Sequence, residues 1–254
     1  MILDSFSLRG KVALVTGAGR GLGQGFALAL AEAGADVALL DRTGAAETVA
    51  AVEALGRRAL PIAQDLLTAG PDDLAATVAQ VTEGLGGLDV LVNNAGIIRR
   101  SPAIEFSETD WDDVLQVNLK VVFFLSQAAA RVMAPAGGGK IVNVASMLSF
   151  QGGRNIPSYT AAKSGVAGIT RALANEWAQH GVNVNAIAPG YFATDNTAPL
   201  RADEERSAGI LARIPVGRWG TPADLQGAVV FLASAASDYV HGTVLPVDGG
   251  WLAS

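Results

Sequence analysis

The chain has 254 residues, half of them hydrophobic, and no cysteine. That suffices for one large core and excludes a disulfide scaffold, a thiolate metal site and a cysteine nucleophile, while a count of two histidines disfavours metal catalysis. A net charge of −6 argues against nucleic acid or an anionic membrane as partner, and the opening residues carry Asp4 without a cation, so no export signal is read and a cytoplasmic setting is expected.

The 30 glycines, about 12% against a usual value near 7%, imply many tight or closely approached backbone positions. Lys11–Thr16 reads as a short apolar strand that runs into Thr16-Gly-Ala-Gly-Arg-Gly-Leu-Gly23 and then a helix from Leu22 to Ala33, closed by Gly34. Further strands are expected near 36–40, 59–63, 88–92, 140–145, 182–188 and 243–247, with helical stretches between them. Continuous apolar strands imply a sheet covered on both faces. The expected fold is therefore α/β: a single Rossmann-type domain over 1–254, with a doubly wound, mostly parallel seven-stranded sheet and helices on both faces.

Helix ends are also legible, at Ser107 with Glu108 before Trp111, and at Thr221-Pro222 with Asp224 before Leu225. The segment from Trp111 to Met133 is apolar nearly all round, which suits either a subunit interface or a deep internal helix. The loosest stretch, 192–213, reads as a mobile lid over the site.

The glycine turn lies between a strand and a helix, where glycines let backbone amides approach a pyrophosphate at the positive end of the helix. Asp41 follows Gly23 by 18 residues, at the end of the second strand, where a carboxylate can accept hydrogen bonds from the adenosine ribose. It would also repel a 2′-phosphate, so NAD is expected over NADP, although Arg20 and Arg42 could each approach such a phosphate.

Tyr159 and Lys163 are four residues apart at the expected start of a helix, so they share one face. A tyrosine is a poor base at neutral pH, and moving its pKa from about 10 to about 7 needs roughly 4 kcal/mol of differential stabilisation, which an ammonium and an oxidised nicotinamide could supply. Ser146 follows an apolar strand and would emerge at its carboxyl end, unless it is merely a helix cap. Asn118 interrupts the long apolar helix, where a purely structural amide network competes with a functional role.

Together, Thr16–Gly23, Asn93-Asn-Ala-Gly96, Asn118, Ser146 and Tyr159-x-x-x-Lys163 resemble the short-chain dehydrogenase/reductase family along essentially the whole chain. The resemblance implies that Tyr159 is the general acid/base, that Ser146 hydrogen-bonds the reacting oxygen, that Lys163 holds the ribose and lowers the tyrosine pKa, and that Asn118 supports a proton-relay water. It places the coenzyme on Gly17, Arg20, Gly21, Leu22, Gly23, Asp41, Asp65, Leu66, Asn93, Ala95 and Gly96. It adds Tyr159, Lys163, Pro189, Gly190, Phe192 and Thr194 from the second half.

Less general segments, including Ile97-Ile-Arg-Arg100, Gly217-Arg-Trp-Gly220 and Val247-Asp-Gly-Gly-Trp-Leu252, resemble the sugar-acid dehydrogenases of that family, which are commonly homotetramers. Cations near the reacting centre suit a carboxylate, so Arg100 or Arg154 is expected to anchor the acid end of the substrate, with Gln151 and Trp219 as further candidates beside Ser146 and Tyr159. A 3-oxoacyl-thioester reductase, a neutral-polyol dehydrogenase and a non-catalytic NAD-sensing module remain as alternatives. Asp41 and the acidic balance argue against the first, and the intact Ser, Tyr and Lys against the last.

Overall fold

A computed structural model describes residues 1–254, the side chain of Asn196 apart. Seven strands form one sheet: β1 (Val12–Thr16), β2 (Asp36–Asp41), β3 (Ala59–Ala63), β4 (Val90–Asn93), β5 (Gly139–Val144), β6 (Val182–Pro189) and β7 (Val244–Val247). Their order is β3-β2-β1-β4-β5-β6-β7 and every pairing is parallel. The order reverses between β1 and β4, so a crevice opens there at the carboxyl ends of the strands.

The helices are α1 (Gly21–Glu32), α2 (Ala46–Ala54), α3 (Pro71–Leu85), α4 (Glu108–Leu115), α5 (Val121–Met133), α6 (Pro157–Trp177), α7 (Ala198–Ala202), α8 (Glu204–Leu211) and α9 (Ala223–Ala233). Alternation along β1 sends Ala13 and Val15 to a core with Phe26 of α1, Val52 of α2 and Leu225 of α9. Val12 and Leu14 go to the opposite core, with Val78 of α3, Leu125 of α5 and Leu173 of α6. Both faces are thus covered, which is why β1, β4 and β6 are buried along their whole length.

Ser107 caps α4 by accepting from the Asp110 amide at 3.1 Å. Asp224 closes the turn before α9, accepting from the Thr221 amide at 2.7 Å. The expected single helix from Trp111 to Met133 is instead broken by a π turn over Gln116–Lys120. At its centre the buried Asn118 side chain accepts from the Ile97 amide at 2.8 Å and donates to the Ile97 carbonyl at 2.9 Å. The apolar pattern continues through that turn, so periodicity alone could not reveal it. No described helix is long and apolar enough to cross a membrane.

Candidate active site

At the carboxyl ends of β1 and β4 lies a cleft of about 770 Å³. The glycine turn between β1 and α1 forms its floor, and two glycines there are required sterically. A Cβ on Gly23 would stand 2.0 Å from the Gly17 carbonyl oxygen, and one on Gly19 would meet the Asp41 carboxylate at 2.9 Å. The close approach at Gly19 leaves its amide free to donate to Asp41 at 3.1 Å. The same carboxylate accepts from the amide and hydroxyl of Thr43, each at 3.2 Å.

Gly17, Gly21, Leu22, Gly23, Asp41, Asp65, Leu66, Ala95, Gly96, Pro189, Gly190, Phe192 and Thr194 all line this cleft. Arg20 lines it too, with its guanidinium on Asp195 at 2.9 Å, so the glycine turn is tied to the segment after β6. Arg42 lines the cleft beside Asp41. A bed of glycine amides at the positive end of α1, a carboxylate beside the ribose position and an elongated volume fit a dinucleotide.

Asn93 departs from its expected place. It turns into the sheet core, where its amide donates to Ser126 and Asn143, each at 2.9 Å. Its neighbour Asn94 lines the cleft and donates to the carbonyls of Thr16 at 2.9 Å and Gly17 at 3.2 Å, which clamps the glycine turn onto β4. Successive residues of an extended segment point to opposite sides, a signal that identifies Asn94 rather than Asn93 as the cleft residue.

Ser146, Tyr159 and Lys163 meet in the cleft between β5 and α6. Pro157 starts α6, so Tyr159 and Lys163 stand one turn apart, with the ammonium 5.7 Å from the phenol ring centre. Lys163 is buried, donates to the Val144 carbonyl at 2.5 Å, and burial lowers its pKa to about 8. Burial raises the Tyr159 phenol above its ordinary range, while a hydrogen bond with Ser146 and the charge of Arg100 pull it the other way. The ammonium's acceptor is that backbone carbonyl, and the groups that lower the phenol here are Ser146 and Arg100.

Asn118 does not face the cleft, since both ends of its amide are held by Ile97. Gln151 and Arg154 are likewise absent from the lining, and Arg154 is exposed on the turn before α6. Arg99, by contrast, lines the cleft and is braced by Asp110 at 3.2 Å and Asp113 at 3.0 Å. Trp219 packs edge-on against Tyr191 in an aromatic cluster that also contacts Tyr159.

Residues 17–252 match a family described as enoyl-(acyl carrier protein) reductase. The chain is 61% identical over 254 residues, the full length of both, to a 2-dehydro-3-deoxy-D-gluconate 5-dehydrogenase of Escherichia coli strain K12. Among solved structures, it resembles a candidate 2-deoxy-D-gluconate 3-dehydrogenase of Agrobacterium tumefaciens with bound NADP. That match has 55% identity and a TM-score of 0.92, covering 99% of this chain and 100% of the other. It also resembles a gluconate 5-dehydrogenase of Burkholderia cenocepacia in complex with NADP and tartrate, at 40% identity and a TM-score of 0.94 over the whole of both chains. NADP in these neighbours runs against the NAD preference expected from Asp41. In this chain the Asp41 oxygens accept from Gly19 and Thr43, and Arg42 lines the cleft alongside.

Proposed function

The chain belongs to the short-chain dehydrogenase/reductase family, and we propose that it transfers hydride between a nicotinamide dinucleotide and a secondary alcohol or ketone of a sugar acid. The substrate class follows its relatives: 2-dehydro-3-deoxy-D-gluconate, with 2-deoxy-D-gluconate as the second member. The observation that carries the reaction is the meeting of Ser146, Tyr159 and Lys163 in the cleft that the glycine turn floors.

The coenzyme would supply the hydride acceptor in oxidation and the donor in reduction. The glycine turn, Asp41, Asp65 and the Pro189–Thr194 segment would hold it, and Lys163 would reach its nicotinamide ribose. Tyr159 removes the alcohol proton as hydride leaves and returns it in the reverse direction. Ser146, already hydrogen-bonded to Tyr159, orients the reacting oxygen. Arg100 acts at the same end, since its charge favours the phenolate that the base needs. Asn118 contributes by shaping the π turn, and any water relay would start from the backbone of that turn rather than from its occupied amide.

Both coenzymes are admitted in this reading. Asp41 favours the ribose diol of NAD, and Arg42 with a released Arg20 favours the 2′-phosphate of NADP. Residues 192–213 form the lid, linked to the glycine turn through Arg20 and Asp195. A cytoplasmic homotetramer joined through α4 and α5, where Trp111, Phe123 and Phe124 stay partly exposed, belongs to the same proposal.

Initial rates at the reduced-nicotinamide absorbance band, with NAD and NADP over aldonates, deoxy-keto sugar acids and neutral polyols, test the assignment. Turnover of the keto sugar acids, lost in Tyr159→Phe with coenzyme binding retained, is expected. A Phe variant with near wild-type turnover removes Tyr159 as the acid/base.

A further inference from the structure

Beyond Pro189 the chain sends successive aromatic side chains into two different clusters. Phe192 packs with Phe26 and Leu225 over the sheet, whereas Tyr191 joins Met147, Leu148, Trp219 and Trp251 in the cluster that contacts Tyr159. The Tyr191 ring lies 4.9 Å from Trp251 and 5.5 Å from Trp219, edge-on to both. The guanidinium of Arg213 stacks 4.0 Å over Trp251. Arg206, on α8, acts on this group through its charge: burial raises the Tyr191 phenol, and the charges of Arg206 and Arg213 oppose that rise.

These two cations differ from five of the chain's other arginines. Arg20, Arg57, Arg58, Arg99 and Arg218 each have an aspartate partner. Arg206 and Arg213 form no ion pair among the described residues. Trp251, only 4% exposed, holds an indole N–H without an acceptor in the same cluster. Two exposed cations and a buried, unpaired indole N–H at the cluster that touches the reacting tyrosine are donors that an anionic substrate can use.

We propose that Arg206 and Arg213, presented beside Tyr191, seat the carboxylate of the substrate and so select sugar acids over neutral sugar alcohols. The inference rests on the sugar-acid reading above. In a gluconate-type acid that reacts at carbon 5, the acid carbon is carbon 1, four bonds away from the reacting centre. Its seat must therefore lie beyond Tyr159, on the far part of the cluster that Tyr159 touches, where Arg213 stacks on Trp251, whereas Arg100 acts on Tyr159 itself. Because both arginines belong to the 192–213 segment or its boundary, binding of the acid end also draws that segment onto the substrate.

The test compares wild type with Arg206→Gln/Arg213→Gln and with Arg100→Gln, each saturated with coenzyme. D-Gluconate and its neutral counterpart D-glucitol are titrated against tryptophan fluorescence, and turnover of 2-dehydro-3-deoxy-D-gluconate is measured in parallel. Loss of two charge-assisted contacts should weaken gluconate at least about tenfold more than glucitol in the double variant. Arg213→Lys, which keeps the charge with one side chain changed, should recover part of the gluconate affinity and guards against a folding defect. Equal losses for the two ligands, a selective loss confined to Arg100→Gln, or no gluconate binding by wild type would overturn the seat. Gluconate that binds selectively while no sugar acid is turned over rejects the proposed reaction and leaves the seat. Sugar-acid turnover indifferent to both substitutions rejects the seat and leaves the reaction.

Discussion

Replacing Lys163 with methionine should stabilise the protein while disabling it. Lys163 is 3% exposed, and its ammonium donates to one acceptor, the Val144 carbonyl. Burial lowers its pKa from 10.5 to about 8, a displacement worth about 3 kcal/mol against the charged form. The sign follows from proton counting. The unfolded chain keeps the lysine proton up to its ordinary pKa and the folded chain releases it earlier, so folding expels a proton and stability rises with pH across that window. Below the folded pKa the lysine is charged in both states and the fold bears the full burial penalty. Methionine removes the penalty and forfeits the Val144 hydrogen bond, worth about 1.5–3 kcal/mol for a charged donor, which leaves a net gain of up to about 2 kcal/mol near neutral pH. For a chain of this size that is a rise of roughly 2–4 °C in melting temperature per kcal/mol. Thermal unfolding of both proteins from about pH 7 to about pH 9.5 reads it, because the wild type should recover about 2 kcal/mol of the deficit over that range. A Lys163→Met protein that melts below wild type at neutral pH, with a difference that stays flat as pH rises, refutes the argument.

Asp41→Ala should move the kcat/KM ratio of NADP to NAD upward by about tenfold or more, since a fixed negative charge beside the 2′-phosphate is removed; an unchanged ratio eliminates Asp41 as the selector. Asn118→Ala leaves the Ile97 amide and carbonyl unpaired inside the protein, so urea unfolding should show a loss of about 2–3 kcal/mol, with the far-ultraviolet helical signal altered where α4 meets α5. Asp36 is buried, which raises its pKa, but its hydrogen bonds with Arg58 and Arg57 outweigh burial and hold it below the ordinary carboxylate range. Its stabilisation is therefore present above the ordinary carboxylate pKa and lost as pH falls through the lowered one, and Asp36→Asn should flatten the acid limb of the stability curve. An acid limb identical to wild type would show that Asp36 is not its source.

The parts of this molecule that the sequence discloses are those where one residue type answers one geometric demand. The strand-glycine-helix order located the floor of the cleft because only glycine leaves room between Gly23 and the Gly17 carbonyl, and the spacing of Tyr159 and Lys163 placed both in the cleft because α6 starts at Pro157. What the sequence hid depends on partners far along the chain. Arg154 and Arg100 look alike as cations near Ser146, yet only the charge of Arg100 reaches Tyr159, and a one-residue step along β4 decides whether Asn93 or Asn94 enters the cleft. Asn118 shows the same limit in another form: the residue type announces that a buried amide must be satisfied, but not that Ile97 satisfies it from a π turn in the helix. The electrostatics of the reacting group are the least legible of all. They arise from a balance in which burial drives Tyr159 up and Lys163 down at once, so the pair resists the ionisation that base catalysis demands. A positively charged nicotinamide would favour the phenolate against its burial, which would couple proton removal to the presence of the oxidised coenzyme.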